Sequence, residues 1–200
     1  MLNKKARIAV LVSGGGTNLQ AILDAQKNQI IQNGEICLVI SNNPKAYALT
    51  RAENAGVATK VITRSPEFEQ NIIDELTKFD IDLIVLAGFM CILSENFTSR
   101  YPNRILNVHP SLIPSFCGNG FYGLRVHEAA LERGVKLTGA TVHFVNEITD
   151  GGEIIMQKAV EVKEGDTPEI LQKRVMEQAE WIILPESIEK VSSQIVKEKK

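Results

Sequence analysis

RIAVLVSGGGTNLQAIL, residues 7–23, changes hydrophobic pattern part-way along. Residues 7–13 form a continuous apolar run ended by glycines, as expected of a strand buried on both faces. Beyond the glycines, Leu19, Ile22 and Leu23 fall at helical spacing. Thr17-Asn18-Leu19-Gln20 fits a capping box, which predicts that the helix starts there. A glycine-rich turn from strand to helix leaves backbone N–H groups and a helix dipole facing outward, which suits a phosphate. A tight turn and nothing more is an equal alternative. Gly14 and Gly16 fit the dinucleotide fingerprint, but Leu19 stands at its third glycine position and no P-loop lysine follows. One monophosphate therefore fits better than a dinucleotide.

The same alternation continues outward. Strands are predicted at 35–41, 58–62, 82–88 and 104–109, and helices at 46–55 and 66–79, the latter with Ile72, Ile73 and Leu76 on one face. Strands alternating with helices imply a parallel sheet covered on both sides. The pattern then changes. GLRVHEAALERG reads as a helix, and LTGATVHFV and EIIMQKAVEV as two strands separated by NEITDGG. Asp-Gly is a hairpin signal, so these two are expected to pair antiparallel at a sheet edge. A final helix is expected from about 167 to 191, with Pro168 in its first turn, and the charged VKEKK tail to fray. The predicted fold is α/β: three αβα layers, with a mostly parallel Rossmann-like sheet and an antiparallel edge hairpin. Residues 1–200 are expected to form a single domain.

NVHPSLIPS, residues 107–115, ends the fifth strand. Side chains two apart in a strand point the same way, so Asn107 and His109 share a face. Pro110 cannot donate to a ladder and stops the strand. In open α/β sheets ligands bind beyond the carboxyl ends of strands, where such a pair can donate to an oxygen that becomes negative during acyl transfer. Asp150, in TDGGE, reads from spacing as a turn residue. If its hairpin lies beside the fifth strand's exit it can instead partner His109 and favour the charged imidazole. His127, on a surface helix, and His143, inside a strand, read as structural. Glu180 lies opposite Leu171, Val175 and Ile182 on a helical wheel and reads as a solvated charge.

Composition excludes several classes. A net charge of -2 over 200 residues gives no basis for binding nucleic acid or an anionic membrane. Cys37, Cys91 and Cys117 are far apart with no zinc-ligand spacing, which predicts a reduced, cytoplasmic protein without a metal. The apolar run behind the N-terminal MLNKKAR is too short for a signal peptide. The longest near-apolar run, 83–93, is well short of the ~18 residues of a membrane span.

In order, SGGGTNLQAI, VLAGFMCIL, NVHPSLIPS, TGATVHFV and TDGGEII resemble the folate-dependent phosphoribosylglycinamide formyltransferases of purine biosynthesis. The resemblance covers about 8–185. It implies the formyltransferase fold, with a phosphate-binding half at about 1–100 and a catalytic and folate-binding half at about 101–190. It also implies transfer of a formyl group from 10-formyltetrahydrofolate, as co-substrate, to the amine of glycinamide ribonucleotide, with no metal. By matched position Asn107 and His109 bind the oxyanion, and Asp150 supports His109 and moves the proton. Gly16, Thr17 and Asn18 hold the substrate phosphate, and Glu180 contacts the ribose or amine end. Met90, Cys91, Ile92 and Leu93 line the folate pocket with Asn107, and Asn146, Glu147, Ile148, Thr149 and Asp150 close over the pterin. The partners implied are small molecules, with no nucleic acid and no membrane, and the chain is expected to be a monomer or a homodimer.

Three departures from the family pattern stand out. Cys91 replaces an arginine common in the family, Trp181 replaces a histidine, and the GNGFYG segment is about one turn of loop longer, with glycines that permit lid motion. Two enzyme rivals share the site. A methionyl-tRNA formyltransferase carries a further basic domain. A formyltetrahydrofolate hydrolase replaces the amine with water and usually has an N-terminal regulatory domain. A non-catalytic nucleotide-binding module is a third reading, and the Asn107, His109 and Asp150 set weighs against it.

Overall fold

The unit predicted from residues 7–23 is the first unit of the structure, a computed structural model that describes residues 5–199. Strand β1 (Ala6–Val12) buries every residue except Arg7, which is half-buried, and helix α1 (Thr17–Lys27) buries Leu19, Ile22, Leu23 and Ala25. The alternation continues through β2 (Gly34–Ser41), α2 (Tyr47–Asn54), β3 (Ala58–Val61), α3 (Phe68–Lys78) and β4 (Leu83–Leu86). A short α4 (Glu95–Thr98) leads into β5 (Ile105–His109). These five strands are parallel, in the order β3-β2-β1-β4-β5. The chain therefore turns one way after β1 and the other way after β4. Their carboxyl ends form the switch point at which open α/β sheets bind ligands.

Helix α5 (Leu124–Arg133) returns the chain for β6 (Leu137–Phe144) and β7 (Ile154–Glu161). β6 pairs antiparallel with β5, and β7 antiparallel with β6, which completes a seven-stranded sheet beyond β5. Alternate residues of β1 serve opposite faces. Ile8, Val10 and Val12 join a core with Leu19, Ala48, Ala130, Leu171 and Ile188. Ala9 and Leu11 join another with Ile72, Leu76 and Phe97. Two apolar faces explain why the strand reads as an unbroken run.

Two local expectations are corrected. Helix α1 starts at Thr17 as predicted, but its cap is Gly16 at φ 72°, with no side-chain capping bond. A Cβ on Gly16 would stand 2.6 Å from the Cβ of Ala48, so the close approach of α2 requires glycine there. Gln20 donates instead to Asp24 Oδ1 (3.0 Å) and accepts from Arg51 Nη1 (3.0 Å), so no capping box forms. The predicted final helix is three pieces: α6 (Pro168–Val175), a π-helical turn (Met176–Glu180) and α7 (Trp181–Glu198). The tail does not fray through Glu198, because Ile195 and Val196 are buried and ion pairs join Glu198 to Arg104 and Lys199 to Asp82. Lys200 of the tail, and residues 1–4 at the other end, lie outside the described residues.

Candidate active site

Three groups of residues assemble where β1, β4 and β5 end side by side. The first is the glycine turn. Ala48 N–H donates to the Gly14 carbonyl (3.1 Å) and Arg51 Nε to the Gly15 carbonyl (2.8 Å), so α2 pins the turn against α1. The opening of α1 also meets the π turn. Asn18 Nδ2 donates to Glu180 Oε2 at 2.7 Å, and Thr17 Oγ1 lies 3.9 Å from Met176 Sδ.

Glu180 is 6% exposed, not the solvated charge that the helical wheel predicted. A π turn bonds i to i+5, which sets an extra residue into the helix and rotates later positions by roughly one step. The predicted core residue Ile182 is accordingly 38% exposed, and Ile183 is buried in its place. Burial pushes the Glu180 carboxyl up, against the lowering effect of the Asn18 amide. Asn18 Oδ1 is itself buried without a hydrogen-bond partner. A donor on a ligand would satisfy it.

The second group surrounds Asp150, which adopts φ 55° in the loop between β6 and β7. Its Oδ2 accepts from Gly118 N–H at 2.9 Å and stands 3.6 Å from His109 Nδ1. Its Oδ1 stands 3.6 Å from His143 Nε2. Both histidine contacts are ion-pair distances, longer than hydrogen bonds. Burial alone would raise this carboxyl. The polar contact with His143, the Gly118 N–H and the charge of His109 outweigh it and hold Asp150 below the usual carboxylate range. His109 Nε2 is 2.8 Å from the Phe116 carbonyl. A carbonyl only accepts, so Nε2 carries a proton and Nδ1 is the nitrogen turned to the carboxylate. Asn107 Nδ2 lies 3.2 Å from His143 Nε2.

The third group is residues 90–93. Met90 N–H donates to Ser13 Oγ at 2.8 Å, tying it to the glycine turn. Met90 and Ile92 are exposed, whereas Cys91 and Leu93 are buried. Cys91 Sγ faces inward and receives Asn42 Nδ2 (3.0 Å) and Arg64 Nε (3.3 Å). Across the opening, Ile148 of the 146–150 loop is 59% exposed, and Asn146 Oδ1 accepts its N–H at 3.0 Å. Asn107 and His109 beside a buried carboxylate, flanked by an uncapped helix start and exposed apolar side chains, suit acyl transfer between two bound small molecules.

Residues 6–188 match the family described as formyl transferase. The chain belongs to the formyl transferase family. Within the family it sits with proteins named phosphoribosylglycinamide formyltransferase. It is 43% identical to the one from Escherichia coli over 86% of this chain and 80% of that protein. It is 46% identical to the human trifunctional purine biosynthetic protein adenosine-3 over 95% of this chain, but spans only 19% of that protein's length. The crystal structure of glycinamide ribonucleotide transformylase 1 from Symbiobacterium toebii superposes with a TM-score of 0.88 at 42% identity, covering 96% of this chain and 89% of that one.

The formyl transferase fold brings together Asn107, His109 and Asp150 despite their separation in sequence, and likewise Asn18 and Glu180. Sequence reading missed His143. It is paired directly with Asn107 across β5 and β6 and is 1% exposed. An antiparallel register drawn from Asn107 would have exposed it. His127 was expected on a surface but is fully buried, because it adjoins the apolar stripe of Val126 and Ala130 on α5. Neither of its ring nitrogens has a hydrogen-bond partner. Burial, with a smaller effect from the charge of His109, lowers its pKa to about 4. The rings of the GNGFYG segment pack on its flanking residues, with Phe121 edge-on to Phe116 at 6.3 Å and Arg125 over Tyr122 at 4.8 Å. Among the described residues no cluster of metal-ligating side chains occurs, and no helix is long and apolar enough to cross a membrane.

Proposed function

We propose that the chain transfers the formyl group of 10-formyltetrahydrofolate to the amine of glycinamide ribonucleotide. The observation that carries this reading is the convergence of Asn107, His109 and Asp150 at the end of β5. The names of its relatives support the same substrates. The substrate phosphate rests on Gly16, Thr17 and Asn18, where helix-start N–H groups and the dipole favour an anion. Glu180 receives donors from the ribose or amine end. The folate lies between residues 90–93 and the 146–150 loop. Backbone groups read its pterin, so the inward-facing Cys91 sulfur does not obstruct it.

The substrate amine attacks the formyl carbon, and the carbonyl oxygen becomes an oxyanion. Asn107 donates a hydrogen bond to that oxygen, His109 exchanges its Nε2–H bond to the Phe116 carbonyl for one to the oxyanion, and Asp150, on the Nδ1 side, stabilises the charge on the imidazole. The proton lost by the amine passes by way of Asp150 and water to the folate nitrogen, whose bond to the formyl carbon then breaks. N-formylglycinamide ribonucleotide and tetrahydrofolate leave. No enzyme nucleophile is required, so the protein contributes position and electrostatics. Residues 1–200 work as one catalytic unit, with the phosphate held by the first half and the folate by the second, in the cytoplasm and on small-molecule partners alone.

Absorbance at the tetrahydrofolate band, followed with and without glycinamide ribonucleotide, tests the assignment. Formation only with the ribonucleotide is expected. Equal formation without it would make the protein a hydrolase instead.

A further inference from the structure

We infer that His143 is a positioning residue that fixes which way the Asn107 amide faces. The inference rests on the proposed role of Asn107 as an oxyanion donor. An asparagine amide has two ends of similar size, and only the nitrogen end can donate to an oxyanion. Turned over, Asn107 would present a carbonyl oxygen to the developing negative charge and oppose the reaction. Something must therefore select the donor orientation.

The selection follows from three contacts. His143 Nδ1 lies 2.8 Å from the carbonyl of Phe144. That oxygen only accepts, so Nδ1 holds the proton, and in the neutral ring Nε2 is left as the acceptor. Asn107 Nδ2 stands 3.2 Å from Nε2. One amide hydrogen goes to the imidazole, and its twin on the same nitrogen is left for the substrate. The turned-over amide would set two acceptors against each other in a buried place, at the cost of an unsatisfied pair.

The backbone supports the arrangement. Asn107 and His143 face each other across the β5–β6 ladder, and the ring is 1% exposed. A register shift at Val142/His143 in the β6–β7 pairing falls at this position, and such irregularities re-aim side chains. Asp150 Oδ1 stands 3.6 Å from the same Nε2, farther than the Asn107 amide and beyond hydrogen-bond length.

The test is a double-mutant cycle read as kcat, with KM for both substrates recorded and the fold of each variant checked by thermal melting. His143→Ala is expected to lower kcat by roughly tenfold to a hundredfold, a share of the ~10²–10³ that a lost oxyanion donor costs, with both KM values little changed. In the Asn107→Ala background it is expected to lower kcat no further, because no amide remains to orient. His143→Gln, whose oxygen reaches as far as Nε2, is expected to recover most of the rate. His143→Asn, which reaches only as far as Nδ1, is not. Nitrogen-15 NMR of the wild-type ring should show a protonated Nδ1 and a bare Nε2. A multiplicative loss in the Asn107→Ala background, or a proton on Nε2 in the neutral ring, overturns the inference while leaving the role of Asn107 intact. A fast Asn107→Ala single variant would overturn the reading beneath it.

Discussion

His127 makes acid stability a quantitative test of the structure. The ring is fully buried on α5 with both nitrogens unpartnered, so protonation would leave a charge with no compensating acceptor. Its pKa falls from 6.5 to about 4. Above pH 6.5 the ring is neutral in folded and unfolded chains alike, and its contribution to stability is complete. As the pH falls toward 4 the unfolded chain takes up the proton first, and that stability is lost. The full span corresponds to about 3.4 kcal/mol at roughly 1.36 kcal/mol per pH unit. The interval from pH 7 to pH 4.5 crosses most but not all of that span, which leaves about 2 kcal/mol. Urea unfolding at pH 7 and pH 4.5, followed by Trp181 fluorescence, measures it. The carboxylates titrate in wild type and variant alike. The gap in stability between wild type and His127→Leu should therefore shift by about 2 kcal/mol in favour of the variant at the lower pH. Parallel pH curves for the two proteins would refute the argument.

Other outcomes follow from single residues. Asn107→Ala should melt close to wild type yet lose ~10²–10³ in kcat, as a steady-state assay would show. Gly16→Ala places a Cβ 2.6 Å from Ala48 at φ 72°. It should cost about 1–2 kcal/mol from the left-handed backbone alone and raise KM for the phosphate-bearing substrate more than for the folate. Gly139→Ala drives a Cβ to 2.0 Å from the Lys158 carbonyl across β6 and β7. Its destabilisation, on the order of 3 kcal/mol or more, should appear in urea unfolding.

Much of the fold was legible because β1 is an unbroken apolar run and α1 and α3 display an undisturbed period of 3.6. The π turn was not. A single extra residue leaves no mark in composition, yet it moved Glu180 from the predicted surface to the interior and Ile182 the other way. Asn107 and His109 were visible because they sit two apart at a strand end. Their dependence on His143 was hidden, since it arises from pairing between strands whose register no local pattern reveals. The failed capping box teaches the same lesson, as the neighbouring Ala48 settled the backbone at Gly16.

The bond from Gly118 N–H to Asp150 Oδ2 joins the first residue of the GNGFYG segment to the acid at the heart of the site. That segment cannot swing outward at its root without unhooking the carboxylate. Undocking of the loop and slackening of the acid are one mechanical event, so a surface change several residues from the chemistry can be felt as a change in proton transfer.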